Sequence, residues 1–122
     1  MSDTEFAAIF ARLKQILLPY EASLDVKADT DINYYLDTFT IYPANKLPIF
    51  FGAVTWKKNY VSFHLMPVYV NPSLLDGIST ELRKRMQGKS CFNFKRLDEG
   101  LFQELEQLTA SGAQDYKGRG FI

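Results

Sequence analysis

The side chains best suited to chemistry in this chain are its only histidine, His64, and its only cysteine, Cys91. An imidazole titrates near neutral pH, so His64 could act as a general base or bind a metal ion. Two strands of one sheet could bring Cys91 beside it, and a thiolate next to a histidine can act as a nucleophile. No specific catalytic, metal-binding or nucleotide-binding motif surrounds either residue. An ordinary structural position is favoured for both, so we assign no catalytic residue, no cofactor and no metal ligand.

Acidic residues are frequent in the first third of the chain. Carboxylate oxygens are suitable ligands for iron and other hard cations. The spacing of these residues matches no calcium-binding loop, however, and alternate strand residues followed by a turn are the usual position of solvated carboxylates. Solvent exposure is therefore the favoured interpretation, with a cation site as the alternative, for Glu21, Asp25, Asp29, Asp31 and Asp37.

A run without acidic residues follows later in the sequence. It contains Arg83, Lys84, Arg85 and Lys89, and then Lys95 and Arg96. Such a basic patch could bind phosphates or an acidic protein surface, although an ordinary solvated face has the same composition. The segment from Lys58 to Phe63 is superficially similar to an RNA-recognition strand. Its aromatic residues Tyr60 and Phe63 point to opposite faces of a strand, so we do not expect nucleic-acid binding.

Composition narrows the class of protein. With 122 residues, 47% of them hydrophobic, the chain is expected to form one domain. Its 14 basic and 14 acidic residues cancel, so no overall charge attracts it to nucleic acid or to an anionic membrane. A single cysteine excludes an intramolecular disulfide and favours a reducing compartment, so we expect a cytoplasmic protein. No segment approaches the roughly 20 apolar residues that span a bilayer.

His64 lies in a segment, residues 48 to 70, that predicts a β-hairpin. We expect Lys58 and Asn59 to form a two-residue turn, because asparagine tolerates positive φ. The core face then pairs Trp56 with Val61, Val54 with Phe63 and Gly52 with Leu65. The other face pairs Thr55 with Ser62, Ala53 with His64 and Phe51 with Met66. This second, mixed face is the candidate ligand-binding surface, formed by Thr55, Ser62, His64 and Met66 together with Tyr69.

The remaining elements predict an α+β domain. Helical spacing of apolar residues indicates an N-terminal helix over residues 6 to 18, capped by Ser2 and Glu5 and ended by Pro19. Strands are expected at 24–28, 33–42 and 91–94, and helices at 80–87 and after Asp98. Gly88 is expected at the left-handed position that follows the helix 80–87. The predicted fold is a single domain in which an antiparallel sheet with a central hairpin is packed by N-terminal and C-terminal amphipathic helices.

Three segments of the chain resemble the bacterial YdhG-like domains of unknown function. They are the hairpin strands with Phe51-Gly52-Ala53-Val54 and Lys58-Asn59-Tyr60-Val61, the glycine-led strand Gly88-Lys89-Ser90-Cys91-Phe92-Asn93-Phe94, and the closing amphipathic helix. The resemblance covers most of the chain through motifs of a structural kind. It implies a small α+β domain with helices packed on an antiparallel sheet. Some relatives have been proposed as frataxin-like iron chaperones, so it also implies iron handling as an alternative activity.

Two functional hypotheses follow from the sequence. The favoured one is a non-catalytic binding module that uses the mixed face of the hairpin to bind a small molecule or a protein. A homodimer is one form that such binding could take. The alternative is an iron-handling protein or a minor enzyme centred on His64. Both hypotheses require that no helix covers the face that carries Ser62 and His64. A covered face would be part of the core, whereas an open face could be a site.

Overall fold

An antiparallel sheet of six strands lies at the centre of the protein, which a computed structural model describes for residues 3–122. The strand order is β1-β2-β3-β4-β6-β5. The predicted strands 33–42 and 91–94 have the expected bounds, and the first strand is shifted by one residue. The strands are β1 (Asp25–Asp29), β2 (Asn33–Tyr42), β3 (Leu47–Trp56), β4 (Val61–Leu65), β5 (Met86–Gln87) and β6 (Cys91–Phe94).

Helices occupy both ends of the chain and the segment between β4 and β5. The α-helices of the described residues are α1 (Asp3–Leu17), α2 (Pro67–Val70), α3 (Thr80–Arg83) and α4 (Glu99–Gly118), and 3-10 helices span Leu18–Ser23 and Pro72–Leu75. The predicted α+β class with N-terminal and C-terminal helices is therefore confirmed. Asp98 caps α4 as expected, with its Oδ1 accepting a hydrogen bond of 3.2 Å from the Leu101 N–H. The proposed cap by Ser2 lies outside the described residues.

The hydrophobic core lies between the sheet and the two long helices. Apolar side chains of α1 and α4 recur at helical spacing and are buried against alternate residues of the strands. The fully buried set includes Ile9, Leu13 and Leu17 of α1, Phe102, Leu105 and Tyr116 of α4, and Val54, Phe63 and Phe92 of the sheet. The Tyr116 hydroxyl donates a 2.7 Å hydrogen bond to the Phe50 carbonyl, so this buried polar group is satisfied.

The β3–β4 hairpin has the predicted register over five residue pairs, from Trp56 with Val61 to Gly52 with Leu65. The Lys57 N–H donates to the Tyr60 carbonyl at 2.8 Å, so Lys58 and Asn59 form the two-residue turn. The prediction that Asn59 adopts a positive φ in this turn is wrong. Lys46, with φ 59°, is the one non-glycine residue of positive φ in the described chain, so Asn59 is not left-handed.

A β-bulge in β3 corrects the predicted position of Phe51. Leu36 of β2 pairs with Gly52 and Asp37 pairs with Phe50, which leaves Phe51 as the extra residue. Its side chain is fully buried, and its ring centroid lies 5.7 Å from that of Tyr116 in α4. Phe51 therefore belongs to the core and not to the face that carries His64.

The hairpin is also shorter than residues 48 to 70, because β4 ends at Leu65 and the chain turns into α2. Pro67 cannot donate a hydrogen bond to a neighbouring strand, and its fixed φ suits the first turn of a helix. Met66 precedes α2 and packs against the hydrophobic core. The prediction that Met66 lies on the mixed face is therefore wrong.

The predicted helix 80–87 is confirmed only at its start. The Ser79 Oγ accepts a 3.1 Å hydrogen bond from the Leu82 N–H, as a helix cap does. The helix then ends at Arg83, because Met86 and Gln87 form β5 and pair with Phe92 and Cys91 of β6. Gly88 has the expected positive φ of 76°, but it lies in the turn between β5 and β6.

Helix α4 passes close to α2 at Gly112, where an added Cβ would lie 2.9 Å from the Cβ of Pro67. A proline ring cannot rotate away, so we expect Gly112→Ala to lower the free energy of unfolding by about 1–3 kcal/mol despite the better helix propensity of alanine. Urea unfolding monitored by circular dichroism measures the change. Gly100→Ala in the same helix is the control, because its nearest contact would be an ordinary 3.6 Å. Equal stability of the two variants would refute the close contact.

Candidate functional site

One face of the sheet is not covered by the helices, and we call it the outer face. The hydrophobic core contains the buried apolar side chains of α1 and α4 but none of the outer-face residues. Two of these residues, Phe39 and Ile41, are 68% and 51% exposed. Because side chains alternate along a strand, β2, β3, β4 and β6 all contribute to this face. It includes Tyr35, Asp37, Phe39, Ile41, Phe50, Ala53, Thr55, Ser62, His64, Cys91 and Asn93.

A row of aromatic rings crosses three strands of the outer face. The rings of Tyr35 and Phe50 are stacked with their centroids 4.5 Å apart. The Phe50 ring meets the His64 imidazole edge to face at 4.7 Å. Each of the three side chains is partly buried by its neighbours in the row. Such ring pairs stabilise each other beyond the area that they bury, so the row is an ordered surface.

His64 forms a hydrogen bond with Ser90, in which the imidazole Nε2 and the hydroxyl Oγ are 2.8 Å apart. Burial lowers the pKa of His64, because a protonated ring would lose hydration. In the part of the chain that the structure describes, no carboxylate hydrogen-bonds to this imidazole, so the third member of a catalytic triad is missing there. The arrangement favours a neutral histidine held in place within the sheet.

The strands do bring Cys91 beside His64, because the two residues are paired across β4 and β6. Burial raises the pKa of the Cys91 thiol, even though hydrogen bonds from Ser62 and Ser90 act in the opposite direction. A thiol with a raised pKa stays protonated at neutral pH and is a poor nucleophile. The geometry therefore provides the proximity that a Cys–His pair needs, but not the thiolate.

The structure brings together three of the five predicted site residues. Thr55 and Ser62 share the outer face with His64, and Ser62 is buried at 9% exposure. Met66 packs against the core, as described above. Tyr69 lies in α2 with its ring 6.0 Å from the Lys89 ammonium, so the prediction that it extends the mixed face is wrong.

Sequence reasoning missed the apolar part of the outer face, which β2 and the bulged end of β3 supply. Tyr35, Phe39 and Ile41 lie on one side of β2 at period-two spacing, interrupted by Asp37, and this pattern is the signal that could have found them. It was obscured because the intervening residues of the strand are also partly apolar. Phe50 could not have been assigned, because the bulge at Phe51 changes which side chains face outward.

The fold gives the acidic residues of the first third different partners, although Asp25 and Asp37 are paired across β1 and β2. Asp29 forms a 2.6 Å salt bridge with Lys14 of α1, Asp25 pairs with Lys27 at 3.0 Å, and Glu21 accepts a hydrogen bond from the Tyr34 hydroxyl. Within residues 3–122 no three His, Cys, Asp or Glu side chains are grouped closely enough to hold a metal ion. The alternative of a cation site at these carboxylates has no geometric support.

The predicted basic patch is divided, which corrects its description as one surface. Lys84 pairs with Glu81 at 3.3 Å, and Arg83 donates a 2.7 Å hydrogen bond to the Leu75 carbonyl. Arg83 and Lys89 line a cavity of about 460 Å³ beside Tyr69. Arg85 lines a different cavity, of about 510 Å³, together with Lys95 and Arg96. The run is divided because β5 interrupts what the sequence predicts as a continuous helix.

Comparison with known proteins adds no relative. No family model, no curated protein and no solved structure matches the chain. The resemblance to the YdhG-like domains therefore stays a prediction. None of the helices in the described residues combines the length and apolar character that crossing a membrane requires.

Because the pKa of His64 is lowered in the folded state, stability should fall as the pH drops through its ordinary value of 6.5. The unfolded chain then binds a proton that the folded chain resists, which favours unfolding. Urea unfolding at about pH 7.5 and about pH 5.5 should show a smaller loss of stability for His64→Gln than for the wild type. The titration of carboxylates changes the stability of the wild type and of His64→Gln equally, so it cancels when the two losses are compared. Equal losses would mean that His64 titrates alike in both states.

Proposed function

We propose that this protein is a non-catalytic binding module whose outer face binds a second copy of the chain. The observation that supports the proposal is the open sheet face, where Phe39 and Ile41 are 68% and 51% exposed beside the aromatic row. Contiguous exposed apolar side chains on a soluble protein are typical of interaction surfaces. Covering this face would complete a second hydrophobic layer for the sheet.

A protein suits this surface better than a small molecule does. Small ligands bind in concave sites that enclose most of their surface. Cavities of about 510, 480 and 460 Å³ exist in the protein, but of the outer-face residues only Asn93, at the edge of the face, lines one of them. The outer face instead presents side chains from four neighbouring strands, which is the form of a sheet packed against another surface.

The charge distribution favours a second copy as the occupant. In a two-fold dimer each patch meets itself, so a charged patch would repel its partner. The register places two carboxylates on this face, Asp37 opposite Phe50 and Asp25 opposite Asp37, whereas the outer-face side chains of β3, β4 and β6 are uncharged types or His64. Asp37 is buried, which raises the pKa of its carboxyl, and Asp25 forms a 3.0 Å salt bridge with Lys27. The lowered pKa of His64 also keeps that ring neutral.

An iron-handling or catalytic role centred on His64 is not proposed as a second function. The ring is engaged by Ser90, the neighbouring thiol has a raised pKa, and the early carboxylates are held in separate contacts. Each of these observations favours a structural role for His64 within the outer face.

Phe39→Asp tests the proposal, because it places a charge on the outer face at a side chain that supports no core contact. Sedimentation should show the wild type in a monomer–dimer equilibrium and the variant with a dissociation constant raised about tenfold or more, since an unpaired charge would be desolvated in the interface. Leu18→Asp is the control, because Leu18 is 42% exposed on the helix layer. The proposal fails if the wild type is monomeric up to about 1 mM, or if both variants weaken association equally.

A further inference from the structure

Three unpaired cations line the largest of the cavities described above, at the end of the sheet where β4 and β5 begin and β6 ends. These are Arg85, Lys95 and Arg96, and the cavity measures about 510 Å³. The salt bridges of the described residues engage other basic side chains and none of these three. The volume is within the range of small-molecule sites.

Antiparallel pairing explains why these residues meet. The Asn93 N–H donates a 2.8 Å hydrogen bond to the Arg85 carbonyl, so the start of β5 lies against the end of β6, which Lys95 and Arg96 follow directly. Val61 of β4 pairs with Phe94 of β6, and this register puts Tyr60 at the same end of the sheet. Tyr60 is only partly buried and lines the cavity as an aromatic wall.

The acidic residues nearby do not neutralise the cavity. Asp98 also lines it, but its Oδ1 is engaged by the Leu101 N–H at the start of α4. Glu99, the next residue, forms a 2.6 Å salt bridge with Arg12 of α1. Three cations against one carboxylate leave the cavity with an excess of positive charge, which attracts an anion.

Asn93 adds a hydrogen-bonding requirement at the cavity wall. Its side-chain Nδ2 donates to the Gln87 Oε1 at 2.7 Å, which leaves the Asn93 Oδ1 buried and without a hydrogen-bond partner in the described structure. A buried acceptor without a partner is costly, so a ligand that carries a hydroxyl or amino donor would be favoured there.

We propose that this cavity binds a nucleoside phosphate. The guanidinium groups of Arg85 and Arg96 and the ammonium group of Lys95 bind the phosphate oxygens through charge-assisted hydrogen bonds. The Tyr60 ring stacks on the base, and the Asn93 amide oxygen accepts from a donor on the sugar or the base. The site lies at the edge of the outer face, because Asn93 pairs with the outer-face residue Ser62, but nucleotide binding there does not require self-association.

Calorimetric titration with ADP, pyrophosphate and adenosine tests the proposal. ADP should bind with saturation, adenosine should not, and pyrophosphate should bind more weakly than ADP because it lacks a ring for Tyr60. Added salt should weaken ADP binding, since the phosphate contacts are electrostatic. The proposal is overturned if ADP shows no saturable binding at about 1 mM, or if pyrophosphate binds as tightly as ADP.

Matched variants locate the binding. Arg96→Ala and Arg85→Ala should each weaken ADP binding about tenfold, because each removes a charge-assisted contact. Lys84→Ala is the control, since Lys84 adjoins Arg85 in sequence but pairs with Glu81 outside the cavity. Tyr60→Ala should weaken ADP and leave pyrophosphate unchanged, and the same thermal unfolding as the wild type verifies each fold. An equal loss in Lys84→Ala, or an unchanged ADP affinity in Arg96→Ala, would contradict a site in this cavity.

Discussion

Side-chain alternation across the β3–β4 pair determines how the two faces of the sheet differ. Val54 and Phe63 are paired and both fully buried, whereas their neighbours Ala53 and His64 are paired on the opposite face. A slip of one residue would exchange the two sets, so this register is strongly specified by the burial of one face. The helices α1 and α4 cover the face with Val54 and Phe63. The opposite face becomes the surface on which the proposed association depends.

The bulge at Phe51 adapts this regular pairing to the helices. It turns Phe51 toward Tyr116 of α4, while Gly52 keeps the backbone close to Leu17 of α1, where an added Cβ would approach to 3.2 Å. Phe50 is consequently directed to the outer face, where it joins the rings of Tyr35 and His64. One inserted residue thus adds an aromatic ring to the core and another to the outer face.

Local patterns account for what the sequence predicts correctly. The β3–β4 register, the bounds of β2 and β6 and the Asp98 cap each depend on residues close together in the chain. The wrong predictions concern elements whose structure is determined by contacts between residues far apart in the sequence. Leu82 and Met86 have the four-residue spacing of one helical face, which favours a helix over 80–87, yet Met86 pairs with Phe92 as a strand residue. The grouping of Arg85 with Lys95 depends on the β5–β6 pairing. The composition of the basic run therefore indicates its positive charge, but not the cavity that these residues line.

One face of the sheet forms the core and the other is an open surface. Urea unfolding of Phe63→Ala and Phe39→Ala, at a concentration where the protein sediments as a monomer, tests this arrangement most directly. Phe63 is fully buried, so its truncation should lower the free energy of unfolding by about 3–5 kcal/mol. Phe39 is 68% exposed, and its truncation should change that free energy by less than about 0.5 kcal/mol. Equal losses in the two variants would contradict the account.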